Sequence, residues 1–211
     1  MITHSPSAKV PRQTREASII AAAAALFAAK GFNGTTTKAI AKKAAISEAL
    51  LFKYFPTKRA LYAAILAEKA PLSPLLSAVE DAAQKRDDVR VFTLIGSYRI
   101  QRSSDPTLLR LLLFSALEGH ELSEMFFQKQ HRMFYDYLSS YIRRRMREGA
   151  FRRADPLLLA RAFMGMLAHH RLLHEIFRVP LAIGPEECVR NYVELFLQGI
   201  RVRKRRHMRT A

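Results

Sequence analysis

Cysteine is nearly missing. The 211 residues hold one, Cys188, which excludes an intrachain disulfide framework and a multi-thiolate zinc site and suits a reducing compartment; a buried spectator thiol is expected. Glycine (8) and proline (9) are sparse, so the chain lacks the punctuation that a many-stranded β protein needs. No apolar run approaches the roughly 18 residues of a membrane span, since even Leu108 to Leu117 is broken by Arg110. Ile19 to Ala29, behind Lys9, Arg12 and Arg15, has the outline of a signal peptide, but Glu16 and the weak hydrophobicity of alanine speak against it. A soluble, cytoplasmic protein without membrane contact is expected. Acidic residues are also scarce, 18 against 35 basic ones.

What is present is apolar material for a core, 49% of residues, and a net charge of +17 that points to a polyanionic partner. That charge is concentrated at the ends: residues 1–70 carry 11 Lys/Arg against 3 Asp/Glu, and 201–211 carry 6 against none. The long middle is close to balance, 18 basic against 15 acidic.

Apolar periodicity is helical throughout, with no strand-like alternation and no internal repeat. Residues 1–10 read as a flexible basic arm. Ile19, Ala22, Ala23, Leu26 and Phe27 then mark one face of a helix from about Pro11 to Lys30, which Gly31 ends. Asn33-Gly34 turns the chain, and Thr35, Thr36 and Thr37 offer caps to a short helix reaching Ala44. Ser47 caps the next, Pro56 stops it after Phe55, and Thr57 caps a fourth. Further on, Ser73-Pro74, Asp105-Pro106, Asp155-Pro156 and Gly184-Pro185 each mark a helix start. A long helix is expected over 121–148, with Arg143, Arg144, Arg145 and Arg147 suiting its dipole, and two more over 156–177 and 185–200.

The segment from Gly31 to Phe55 has the makings of a helix-turn-helix: two short helices joined at Ala45-Ile46, with Ile40, Ala44, Ile46 and Leu51 available to pack them. The second helix fits a major groove of roughly 12 Å width. Arg15, Ala24, Leu26-Phe27, Gly31, Thr35-Thr36, Ile40-Ala41, Ala44, Ile46-Ser47, Leu51, Tyr54-Phe55, Lys58 and Leu61 together resemble the DNA-binding domain of the TetR family of bacterial regulators. Beyond it the likeness is mainly one of helix pattern, with Glu148-Gly149-Ala150-Phe151-Arg152 leading to Asp155 as a further match. Two positions depart from the family pattern. Ala45 replaces a common glycine, implying strain of about 1 kcal/mol if it is left-handed. Phe52 replaces a tyrosine and loses that hydroxyl's phosphate contact.

The resemblance implies an all-α protein: a three-helix DNA-binding domain over 11–57, a helical ligand-binding and dimerisation bundle over 58–200, and a basic tail over 201–211. It implies phosphate contacts from Thr36, Thr37 and Lys58, with Lys38 beside them, and a recognition helix carrying Ser47, Glu48, Ala49, Leu50, Lys53 and Tyr54. Lys53 is a candidate for a guanine edge, Glu48 for cytosine, and Ala49 or Leu50 for a thymine methyl, each with a solvated surface residue as the bland alternative. The arm (Lys9, Arg12) and the tail are candidates for further DNA contact, and solvated ends are the equal alternative. The family implies a homodimer through the last two helices, with Phe163, Met166, Leu167, Tyr192, Leu195 and Phe196 as candidates, any of which is alternatively monomer core. It also implies an apolar pocket for an unidentified small-molecule effector, with candidates Phe92, Tyr98, Phe114, Met125, Phe134, Met164 and His170. Repression released by that effector is the expected mode, and double-stranded DNA the expected partner.

No cofactor motif, nucleophile motif or phosphate loop accompanies these features, so His120, His131, His169, His170 and His174 give little support to an enzyme. His170 and His174 have one-turn spacing, yet only Glu175 joins them as a metal ligand, and no metal is expected. A non-specific basic nucleic-acid-binding or membrane-surface protein fits the charge but not the ordered turn and caps.

Overall fold

The computed structural model describes residues 11–69, 73–100, 106–119 and 132–202. Among them the chain is all-helical: α1 Arg12–Lys30, α2 Thr37–Lys43, α3 Glu48–Tyr54, α4 Lys58–Lys69, α5 Ser73–Gln84, α6 Asp88–Ile100, α7 Thr107–Leu117, α8 Arg132–Arg147, α9 Pro156–Arg171 and α10 Pro185–Ile200. A π-helical turn, Leu172–Ile176, extends α9. No described helix is long and apolar enough to cross a membrane. The helix expected over 121–148 is described from Arg132 onward, and Lys9, Met125, His120, His131 and the tail beyond Val202 lie outside the described residues.

The chain divides into two compact units, residues 1–71 with 107–126, and 72–106 with 127–211. In the first, α1 packs against α2, α4 and α7, and α2 against α3. Alanine suits α1 twice: it is the best helix former, and its small side chain lets neighbours approach. Ile19, Ala23, Ala24 and Phe27 of α1 meet Ile40, Leu51, Leu61, Ile65 and Leu111 in one core. Tyr62 is sealed in it, donating to the Leu111 carbonyl at 3.3 Å, and burial pushes its phenol up to about 12. Compactness thus groups α4 and α7 with residues 11–57, and a functional boundary at 57/58 remains a proposal.

Gly31 ends α1 with φ 72°, where a side chain is strained, and an added Cβ would fall 2.1 Å from the Glu118 Oε1. The α2–α3 turn is a Schellman motif: Ile46 N–H donates to the Ala41 carbonyl (3.0 Å) and Ala45 N–H to that of Lys42 (3.2 Å). Ala45 accordingly takes φ 53°, so the strain expected of an alanine at this position is present.

The second unit is built on an aromatic centre. Phe92 of α6 lies 4.9 Å from Phe163 of α9 and 5.0 Å from Phe196 of α10, with Tyr141 and Phe151 at 6.3 and 6.5 Å. Gly96 lets α10 come close to α6, since a Cβ there would sit 2.9 Å from Val189 Cγ1. A buried ion pair fixes α6 to α8. Asp88 receives Tyr141 Oη at 2.6 Å and a forked pair from Arg145, Nε at 2.8 Å and Nη2 at 3.1 Å. These bonds raise the pKa of Arg145, and burial followed by the Asp88 bond raises that of Tyr141. Gly149 turns the chain after α8, and Phe151 then forms an isolated antiparallel bridge with Arg201 that anchors the end of α10.

Candidate DNA-binding surface and second-unit sites

The candidate reading helix is held from one side only. Leu51 and Phe55 enter the core of the first unit, at 1% and 6% exposure, and the helical period turns Ala49, Phe52 and Lys53 to solvent. Ser47 caps α3 by accepting from Leu50 N–H at 3.2 Å, and Thr36 caps α2 by accepting from Ala39 N–H at 3.1 Å. Each hydroxyl keeps its own hydrogen for a further acceptor. Lys38, Lys42 and Lys43 are exposed on α2. Arg12, at the start of α1, lies over the Tyr54 ring at 5.7 Å, bringing a second cation to the end of α3.

Several of the sequence-derived contact residues have partners inside the protein. Thr37 donates its hydroxyl to the Glu48 carboxylate, joining the N-termini of α2 and α3. Lys58 donates to the carbonyls of Phe32 (2.6 Å) and Thr35 (2.8 Å), and its ammonium sits 4.2 Å from the Phe32 ring centre. Partial burial lowers its pKa, opposed by the Glu118 charge. Its resting geometry ties the loop after α1 rather than reaching outward. Sequence reasoning missed Thr35, which is fully buried and donates to the carbonyls of Gly31 (2.8 Å) and Leu26 (3.2 Å). It also missed Phe52 as an outward residue: at 43% exposure it is a bare aromatic ring on the reading face.

In the second unit the structure redistributes the candidates. Phe163, Leu167 and Phe196 are buried within one chain, at 0%, 0% and 6%, so as interface residues they are corrected to core: an enclosed side chain has no surface to present. Leu195 is 63% exposed, and Met166 and Tyr192 are partly exposed. Phe92 and Met164, at 0% and 1%, belong to the same core and line no open space, which corrects their assignment to a pocket. Phe134 is buried against Tyr98, ring centres 5.9 Å apart. Phe114, partly buried on α7, lies in the first unit. An open groove of about 680 Å³ runs between α6 and α10, lined by Val89, Thr93, Ser97, Val189, Val193 and Glu194 among others, and holds none of the residues expected from the sequence. His170 stacks on His174 with ring centres 6.1 Å apart, and its Nδ1 is 3.4 Å from Tyr192 Oη. Among the described residues no group of three or more His, Cys, Asp or Glu could hold a metal ion.

Comparison with known proteins agrees with this geometry. Residues 19–65 match the model of bacterial regulatory proteins of the tetR family, and residues 99–199 match that of the AefR-like transcriptional repressor C-terminal domain. The nucleoid occlusion factor SlmA of Marinobacter nauticus is 29% identical over 145 residues, 67% of this chain and 71% of its own length. PfmR, a TetR-family regulator from Thermus thermophilus, has TM-score 0.62 at 25% identity, covering 85% of this chain and 97% of its own. AibR, crystallised with isovaleryl coenzyme A and operator DNA, has TM-score 0.65 at 20% identity over 86% and 97% of the two chains.

Proposed function

The chain belongs to the TetR family of bacterial regulators, a DNA-binding regulator and not an enzyme, and we propose that it is a dimeric repressor released from a pseudo-palindromic operator by a small apolar molecule. The observation that carries this is α3: capped, pinned by Leu51, and presenting Ala49, Phe52 and Lys53 beside the exposed lysines of α2. One such helix makes few base contacts, at about 1–3 kcal/mol each, so a selective regulator needs two copies about one DNA turn apart. The second unit supplies material for pairing. Leu158, Phe177, Val179, Leu181 and Leu195 are large apolar side chains on or beside α9 and α10, all about half exposed or more. We place the dimer contact there, with Met166 and Tyr192 adjoining. Thr36, Lys38, Ser47 and Tyr54 position the phosphates, and Lys53, Ala49, Leu50 and Phe52 face bases. Thr37 and Glu48 orient α3, and Lys58 shares its ammonium between the loop and a phosphate. AibR has been crystallised with both an acyl coenzyme A and operator DNA, which supports a pairing of ligand and operator here. Action on DNA places the protein in the cytoplasm.

Selection from random duplex DNA at about 150 mM salt, where unselective electrostatics are weakened, tests this. An enriched inverted repeat is expected. Retention without sequence enrichment would replace the reading by non-specific binding.

A further inference from the structure

The histidines at one-turn spacing are unused by the proposed function, and they sit where α9 widens into the π-helical turn Leu172–Ile176. π turns are rare and recur at functional sites. Glu175 lies within this one, its side chain 1% exposed, and receives a forked pair from Arg171, Nε at 2.6 Å and Nη2 at 3.0 Å. Arg171 and Glu175 therefore cancel.

Arg99 of α6 is left over. The residue is partly exposed as a whole, but its Nε is shielded from water and has no hydrogen-bond partner. Burial, and then the charge of Arg171, push its guanidinium down to about 10, against the weaker opposing pull of Tyr135, Tyr98 and Glu175. His170 adds no cation at neutral pH, since burial and then His174 lower its pKa. Among the described residues the site holds two guanidinium ions and one carboxylate already paired, a residual charge of +1. A cation withdrawn from water without a counter-ion is strongly unfavourable, and a chain that retains one has a use for the missing anion.

The surroundings define the ligand further. Tyr98 packs on Phe134, and Tyr192 meets His170, so the neighbours are aromatic. A single residual charge matches a monoanion, and a planar guanidinium fork matches a carboxylate. We propose that Arg99 anchors the carboxylate of an apolar carboxylic acid in the second unit, and that such an acid is the class of effector. The effector role rests on the repressor reading above; the anion site does not.

The full chain is melted by circular dichroism with octanoate, with octan-1-ol as the neutral match, in wild type, Arg99→Met and Arg99→Lys. The expected result is a higher Tm with octanoate than with octanol in wild type. That increment is lost in Arg99→Met, whose own ligand-free Tm equals or exceeds that of wild type, because removing an uncompensated charge relieves the chain. In Arg99→Lys, which keeps the charge but not the fork, it is reduced. Octanoate no better than octanol, or an increment that survives in Arg99→Met, overturns the proposal. So does an Arg99→Met chain that fails to fold or melts far below wild type, since the charge would then be met by the protein itself. If octanoate stabilises through Arg99 without weakening operator binding, the anion site stands and the effector role falls.

Discussion

The two units spend their polar groups differently. In the first, hydroxyls act locally: Thr36, Ser47 and Thr57 each accept from the backbone N–H three residues on, fixing where helices start. In the second, the decisive polar contacts span the chain, with Asp88 reaching Tyr141 and Arg145 across 53 and 57 positions. Local caps set direction, whereas a buried ion pair sets which helices meet. The first unit therefore presents a reading helix of defined angle, and the second is an enclosed bundle whose charges must be balanced internally or by a ligand.

The sharpest way to break that contrast is at Asp88. Asp88→Ala leaves Arg145 and the Tyr141 hydroxyl without their shared acceptor, and removing one partner of a buried pair costs about 3–5 kcal/mol. Urea unfolding of the full chain should show that loss, while operator binding by the folded fraction persists. A loss under about 1 kcal/mol would mean the pair is solvated and the contrast wrong.

In the first unit the largest functional effect belongs to Lys53. Lys53→Ala should weaken operator binding by about 1–3 kcal/mol if it reads a base, with relaxed preference at one operator position. If it meets phosphate instead, binding weakens equally across sequences and the salt slope falls by about 0.9. Ser47→Ala comes next: losing a helix cap costs about 1 kcal/mol of stability, and because the cap aims α3, operator affinity should fall with it.

The same contrast explains what was legible in the sequence. Helix starts were, because a cap and the N–H it serves are three residues apart. The left-handed Ala45 was, because the turn's position fixed its backbone. Lys58 was not: nothing nearby in sequence says that its ammonium is held by carbonyls 26 and 23 residues earlier. Phe163 and Phe196 looked like interface because an apolar period shows that a helix face is covered, not whether the cover is the same chain or another. Both are covered by Phe92. Arg145 read as a dipole-complementing surface cation and is instead half of the buried pair, information held by Asp88 far upstream.

The smallest effect tests strain in the turn that joins the two DNA-facing helices. Ala45 holds φ 53°, a conformation that costs an L-residue about 1–2 kcal/mol and glycine almost nothing. Glycine also loses more chain entropy on folding, about 0.5–1 kcal/mol, so the two terms partly cancel. Ala45→Gly should therefore stabilise the chain by about 0.5 kcal/mol, read as a shift in urea midpoint with an unchanged slope. Arg86 provides the internal control. It closes α5 with the same pair of bonds, Arg86 N–H to the Ala83 carbonyl and Asp87 N–H to that of Ala82, at φ 56°. Arg86→Gly should give a similar gain without touching operator binding. Ala45→Gly is expected to leave operator affinity nearly unchanged as well, since the Schellman bonds and the Ser47 cap still fix α3. If it weakens the operator complex while stabilising the fold, the alanine is holding α3 in a geometry that glycine lets drift, and the strain belongs to recognition.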